Sequence, residues 1–486
     1  MRLFDAVVLG DGMGGLVAGL MLQKRKAKVA VLRKRLTSHL DPALCEFLNG
    51  FALKPVLKRM GFHPTEVNAI PPLDAPLQLI FADHRIDCYG EEGRFERELV
   101  REFPGTSKKI LQLFRESYGH IEIYQHLLNS RVPLPPRGFF ARRQFKKELT
   151  RVCDVALLED RLLKKELESF EVGGEFGRAI EAMRLSFTQL LSPWTCGAQL
   201  AHLLTLVRWE GYSAPGGLLT IRNLLLDRIK ERGGVLVDAD EIHEVRIKRR
   251  RVTAFGLTGS EFSELGCTAV IVGGNPRGFI AMAPDEKPMK QWRKLLDQLP
   301  VKLRKAYQLY RLSAGGVPIG MKSQGLIIPP PVPNGSNERR RFVRAIRYTV
   351  RRKVQEGKAP EIWFGLTAFL SLDGEPEPAR VREEIREGVR QAVPFLEQHL
   401  LEEPSAVFMT PLDGSPGDFS QGFVYECEKP RDLGIAGLTP ETPFQNVFMA
   451  GDVVFPGLGL DGELIAGLQC THYAGTLIHE DRQLAD

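Results

Sequence analysis

Short apolar runs and clustered glycines organise the two ends of the chain. Residues 5–9 are almost wholly apolar, residues 10–15 hold four glycines, residues 16–23 show helical spacing, and residues 29–32 (Val-Ala-Val-Leu) are apolar again. Apolar runs that do not alternate suit strands covered on both faces. The pattern therefore predicts strand, turn, helix and strand, the start of a βαβ unit. From residue 36 to about 206 the text is charged and mostly helical, with long runs at 95–118 and 144–170. A second α/β block follows, with a helix over 218–232 and strands at 235–237, 244–247, 252–258 and 269–272. Residues 276–408 mix a proline-rich stretch (328–333), a strand-like run (362–370) and an amphipathic helix (378–401). Residues 446–479 return to strand, glycine-rich turn and helix.

Composition adds limits rather than a direction. The 486 residues are 43% hydrophobic and 26% charged, as in an ordinary globular protein of about two domains. The net charge of +6 is mild, and its clusters (24–28, 33–35 and 339–353) are expected to be solvated surface, with no nucleic-acid partner. Seven scattered cysteines without C-x-x-C spacing argue against a disulfide framework or a structural zinc site, and a reducing cytoplasm is expected. No leader pattern precedes the first predicted strand. The most apolar long stretch, residues 190–209, is interrupted by Pro193, Gln199, His202 and Arg208. A buried helix is expected there rather than a membrane span.

Gly10-Asp11-Gly12-Met13-Gly14-Gly15 satisfies G-x-G-x-x-G between a predicted strand and a predicted helix. Gly10 permits the tight turn, Gly12 lets a pyrophosphate approach the backbone, and Gly15 permits close packing of helix on strand. Free N–H groups and the helix dipole favour phosphate there. An acidic residue normally ends the second strand and accepts bonds from ribose. Arg33 stands at that place, and a guanidinium has donors only. Three readings stay open: Arg33 grips a 2′-phosphate, it contacts the nucleotide otherwise, or the site has lost its ligand. Asp11 repels a pyrophosphate unless it turns away or is paired.

The segment Asn446-Val-Phe-Met-Ala-Gly451-Asp452, with Phe455-Pro-Gly-Leu-Gly459-Leu-Asp461-Gly462 and the following helix, resembles the closing motif of the phytoene desaturase and carotenoid isomerase family. That family belongs to a wider flavoprotein class that includes amine oxidases. Tyr212 to Gly217, Ala239-Asp-Glu-Ile242 and residues 269–275 resemble its middle blocks in the same order. The resemblance implies FAD as cofactor. Asp452, beside Gly451, would meet the ribityl chain or pyrophosphate, Ile242 would lie by the adenine, and Gly459, Gly462, Glu463 and Leu464 would bring a helix N-terminus to the flavin ring. A helix N-terminus there favours the anionic reduced flavin. Two departures stand out: Arg33 itself, and the lack of an arginine with paired glycines after Arg35. The implied fold is α/β, a Rossmann-like FAD-binding domain with a parallel sheet (1–70, 207–280, 409–486) and a discontinuous α+β substrate or cap domain (71–206, 281–408).

In this family the flavin carries the redox step, so no catalytic triad is expected and no catalytic residue is assigned. His202, His243, His472 and His479 lack metal-ligand spacing and are read as structural or exposed. Tyr212 and Tyr473 fall within flavin-associated motifs. Residues 132–145 mix aromatics with Arg137, Arg142 and Arg143, as a membrane-interfacial segment would. The expected function is hydride transfer between flavin N5 and an apolar isoprenoid or lipid substrate. Its alternatives are a flavoprotein-derived binding or scaffold protein and an amine oxidase.

Overall fold

The computed structural model describes residues 2–485 except 36–39, 119, 130–133, 135, 137, 284–285, 331–342, 355–356, 358, 373–376, 403, 411–421 and 429–436. The first strand, Arg2–Leu9, is buried from Ala6 to Leu9 because it runs in the middle of a sheet with parallel neighbours on both sides. Val29–Lys34 and then Val235–Ala239 follow on one side, and Glu264–Val272 lies on the other. The far side of Glu264–Val272 is shared. Its N-terminal part pairs antiparallel with Arg251–Thr258, which pairs with Glu241–Lys248, and its C-terminal part pairs in parallel with Val447–Met449. Five parallel strands thus end at one edge, where ligands bind in open α/β sheets.

Helix Met13–Lys24 packs against helices Gly459–Ala485 and Leu218–Glu231. Small residues set that closeness: a side chain at Gly467 would run into the Gly14 carbonyl. The expected Rossmann-like sheet is present, with an antiparallel edge added to its parallel centre.

A second, nine-stranded sheet is built mainly from the middle of the chain. Its order is Arg85–Cys88, Leu77–Ile80, Gln324–Ile327, Val343–Lys353, Glu361–Ser371, Val301–Ser313, Phe423–Glu426 and Leu190–Leu191, with Phe408–Met409 beside Val301–Ser313. Phe423–Glu426 comes from the stretch 409–486 expected in the first domain, yet it pairs here. Its burial against Val301–Ser313 outweighs its place in sequence.

The long predicted helices are interrupted. Residues 95–118 fall into Glu92–Glu102 and Ser107–Tyr118, separated at Pro104-Gly105, because proline lacks the N–H a continuing helix requires. Residues 144–170 become Gly138–Leu149, a short 3₁₀ turn and Leu163–Ser169. The helix begun at Pro378 stops at Ala392, before Pro394. The apolar stretch contains helix Gly197–Arg208, buried along its length from Ala198. No helix among the described residues is long and apolar enough to cross a membrane.

Candidate functional site

The edge where the parallel strands end carries the glycine turn. Gly10 has φ +80°, a left-handed conformation open to glycine at little cost. A β-carbon on Gly15 would stand 2.6 Å from the Gly273 α-carbon, so this glycine sets the helix-to-strand distance as expected. Gly14 has a further role that motif reading missed. A side chain there would run into the Ala450 carbonyl, so the N-terminal turn and the C-terminal motif touch through backbone alone. Gly12 caps helix Met13–Lys24 without a side-chain hydrogen bond, and no acidic residue occupies the first turn. The helix N-terminus therefore keeps its affinity for an anion.

Arg33 does not extend into solvent. Its Nε and Nη2 donate to the two carboxylate oxygens of Asp238 at 2.9 Å each, a two-pronged pair between neighbouring strands in which Arg33 and Asp238 stand in register. Asp11 lies 3.9 Å from Arg33 and 3.6 Å from Arg222, and Arg222 also holds Asp41. The carboxylate beside the turn is thus paired rather than left facing the helix N-terminus alone.

The C-terminal motif is buried far more deeply. Asp452 is 1% exposed; its Oδ1 accepts from the Tyr425 hydroxyl at 3.2 Å, and its Oδ2 has no hydrogen-bond partner among the described residues. Burial pushes its carboxyl up to about 6, against the downward pull of the Tyr425 hydrogen bond and of Lys305. Gly451 meets the Gly274 carbonyl, which a β-carbon would approach to 2.6 Å. Gly459 has φ +52° and lies against the Phe187 carbonyl, and Gly462 lies against that of Phe455. Leu464 is buried, and Glu463 receives a hydrogen bond from Gln189 at 3.3 Å.

Asp461 carries more of this region than the motif suggested. Its carboxylate accepts from the backbone N–H of Ala52 at 2.9 Å and of Phe51 at 3.3 Å, at the start of helix Leu53–Met60. His202 Nε2 lies 2.9 Å from the same carboxylate, and both side chains are wholly buried. The histidine packs edge-on to Phe51 and beside Tyr124. Only the position of Asp461 inside the glycine-rich turn hinted at this; the 259-residue separation hid His202.

Between the two sheets, residues 44–46 lie on the second sheet and satisfy its inward polar groups. Thr349 and Arg351 donate to the Leu44 carbonyl, and Thr367 donates to that of Cys45. Glu46 accepts from Lys305 Nζ at 2.8 Å, from the Tyr307 hydroxyl at 2.9 Å and from Arg347. Burial alone would raise its carboxyl, but Arg347 and Lys305 outweigh burial and hold it at about 2. Arg347 is itself buried, bonded to the Ser186 carbonyl and stacked over Phe47. The expectation of a solvated basic surface is corrected for two residues of this cluster: Arg347 and Arg351 are structural ties, while Arg344, Arg352 and Lys353 are exposed as expected. Arg339 to Arg341 lie outside the described residues.

The other candidates are dispersed. Ile242 is buried at the start of Glu241–Lys248. Tyr212 donates its hydroxyl to Glu210, and Tyr473 stacks on Phe448. Of residues 132–145, positions 132, 133, 135 and 137 lie outside the described residues, while Phe139, Phe140, Arg142 and Arg143 are exposed on helix Gly138–Leu149.

No family model and no curated protein sequence matches the chain. Solved structures do. An oxidoreductase from Methanosarcina mazei is 14% identical with a TM-score of 0.56, covering 97% of this chain and 100% of its own. Putrescine oxidase bound to putrescine is 13% identical with a TM-score of 0.52, covering 98% and 99%. A Rab GDI from Plasmodium falciparum is 9% identical with a TM-score of 0.52, covering 96% and 97%. The chain is thus similar in fold, over nearly its whole length, to these solved structures. Phytoene desaturase is not among these three, and that finer resemblance rests on the motifs alone.

Proposed function

We propose that this protein is an FAD-dependent oxidoreductase of amine-oxidase-like fold. One observation carries the reading: at a single sheet edge, a helix N-terminus without a side-chain cap lies beside the C-terminal motif in which a fully buried carboxylate oxygen of Asp452 has no partner among the described residues. A buried polar atom without a partner is costly, and a hydrogen-bond donor from a bound ligand relieves it. These groups fit a dinucleotide: the first-turn N–H groups of Met13–Lys24 for its pyrophosphate, Asp452 for its sugar-alcohol hydroxyls, and the start of Gly459–Ala485 for the ring end. FAD, when bound, accepts or returns a hydride at N5. The chain's own part is to orient and to exclude water. Asp461 ties Phe51, Ala52 and His202 to that helix start, and Phe47 and Phe187, with ring centres 5.5 Å apart, add an apolar wall.

Two substrate classes follow from different support. The motif resemblance and the aromatic wall favour an apolar isoprenoid or lipid, entering by way of Phe139 and Phe140 from a bilayer surface. The likeness in fold to putrescine oxidase favours an amine. Purified protein is expected to be yellow, or to become so with FAD, and Asp452→Asn is expected to lose the flavin on gel filtration. A colourless protein after incubation with FAD overturns the reading. Reduction of the bound flavin under anaerobic conditions by a polyene or by a diamine then separates the classes, and sedimentation with anionic liposomes tests the surface contact.

A second reading, a binding protein that has given up the flavin, is favoured by the Arg33–Asp238 clasp and by the burial of Gly451, Asp452, Gly459, Gly462 and Leu464 beneath the chain's own atoms. Its mark is unchanged stability and no spectral change when FAD is added.

A further inference from the structure

We infer that Lys305 and Arg347 form the head-group subsite of a substrate that carries a single carboxylate on an apolar body. The inference deepens the FAD reading above and rests on it, because these cations stand at the aromatic wall assigned there to the substrate.

Three cations reach that wall from the second sheet. Arg347 lies over the rings of Phe47 and Phe369, 4.8 and 5.4 Å from their centres, and donates to the Ser186 carbonyl, one residue before Phe187. Lys305, two strands away in the sheet, reaches the same Glu46 carboxylate as Arg347. Arg351 is held by the carbonyls of Leu44, Glu46 and Ala214. Arg347 is 3% exposed and Lys305 6%.

Glu46 alone does not satisfy these donors. Its carboxylate offers about four acceptor positions, and Lys305, Tyr307 and Arg347 take three of them. Arg347 keeps a buried Nε with no hydrogen-bond partner among the described residues. The Lys305 ammonium carries three donors, and among the described residues one of them is taken, by Glu46. Buried donors left over are costly, and an acceptor on a ligand relieves them.

The charges point to the same ligand independently. Lys305, Arg347 and Arg351 face two carboxylates, Glu46 and Asp452, the second drawn down by Lys305. Arg277 and Glu463, which also act on Tyr425 beside Asp452, cancel, and the Arg222–Asp41 pair at the start of Pro42–Leu44 is neutral in sum. One positive charge is left over, and an uncompensated charge away from water is costly. A single carboxylate balances it. A phosphate monoester overshoots, and a diamine adds to the surplus. The Glu46 side chain is 15% exposed, which leaves the head group a way in, and Phe47 and Phe187 offer the apolar body a surface.

The test is calorimetric titration of the full chain, with and without added FAD, using decanoate, 1-decanol and decylamine, three probes that share a chain length and differ in the head. Wild type is expected to bind decanoate about tenfold or more tightly than the other two. Lys305→Met is expected to weaken decanoate by about tenfold and to leave 1-decanol unchanged. Glu46→Gln removes the internal competitor, so decanoate should tighten and decylamine weaken, an opposite pair of shifts that loss of a merely structural tie would not produce. Equal binding of the three probes, tighter binding of decylamine, or a decanoate affinity indifferent to Lys305→Met overturns the inference. The flavin absorbance of the same samples decides the FAD reading separately. Yellow protein without the decanoate preference brings down the subsite alone, and colourless protein that still selects decanoate brings down the FAD reading while the carboxylate subsite stands.

Discussion

Two clusters of carboxylates sit beside hydrogen-bond donors, one at a half-exposed rim and the other at a buried floor. At the rim, Asp11, Asp41 and Asp238 share Arg33 and Arg222, with side chains 16–42% exposed. Water and salt screen each pair there, and an incoming ligand can rearrange them at small cost. At the floor, Asp461 and His202 are wholly buried, and the acceptor positions of the aspartate serve two backbone N–H groups and the imidazole. Nothing there can move without leaving a buried polar group unmatched. The rim can therefore be altered to change what binds, while the floor ties helices Gly197–Arg208 and Gly459–Ala485 to the start of helix Leu53–Met60.

That contrast can be broken by mutation. Asp461→Ala should have the largest effect. It strips three buried groups of their acceptor and is expected to cost about 3–5 kcal/mol, read as a shift of the urea midpoint. A loss below about 1 kcal/mol would place the floor in the same class as the rim.

Asp452 comes next, and its effect has a sign. Its carboxyl is raised to about 6 in the folded chain. Between the ordinary carboxylate range and that value the folded state binds a proton that the unfolded state releases. Stability is therefore expected to fall as pH rises through that window, by roughly 2 kcal/mol. Asp452→Asn should flatten this slope while abolishing flavin retention. A variant with the wild-type slope refutes the assignment of that titration to Asp452.

Arg33→Leu should have the smallest effect on stability, within about 1 kcal/mol and shrinking further at high salt, because it is a half-screened surface pair. A larger loss, persisting in salt, would mean that the rim is structural too.

Much of the architecture was legible in the chain itself. The apolar runs at 5–9, 29–32 and 269–272 became parallel strands, and Gly10 and Gly15 act as their spacing implied. These features are local: a strand covered on both faces needs an unbroken apolar run, and a left-handed turn favours glycine whatever surrounds it. Local reading failed where a proline divided a helical pattern, and where burial drew in residues with exposed chemistry, as at Arg347 and Arg351.

The residue order by itself determined a glycine turn between strand and helix at one end, a glycine-rich helix start at the other, and an arginine where an acid is usual. Tertiary structure alone decided what that arginine means. Asp238 stands 205 residues from Arg33, His202 stands 259 from Asp461, and Glu46 stands 301 from Arg347. Pairing of charges depends on distance in space and on the water left between them, and neither is a property of neighbouring residues.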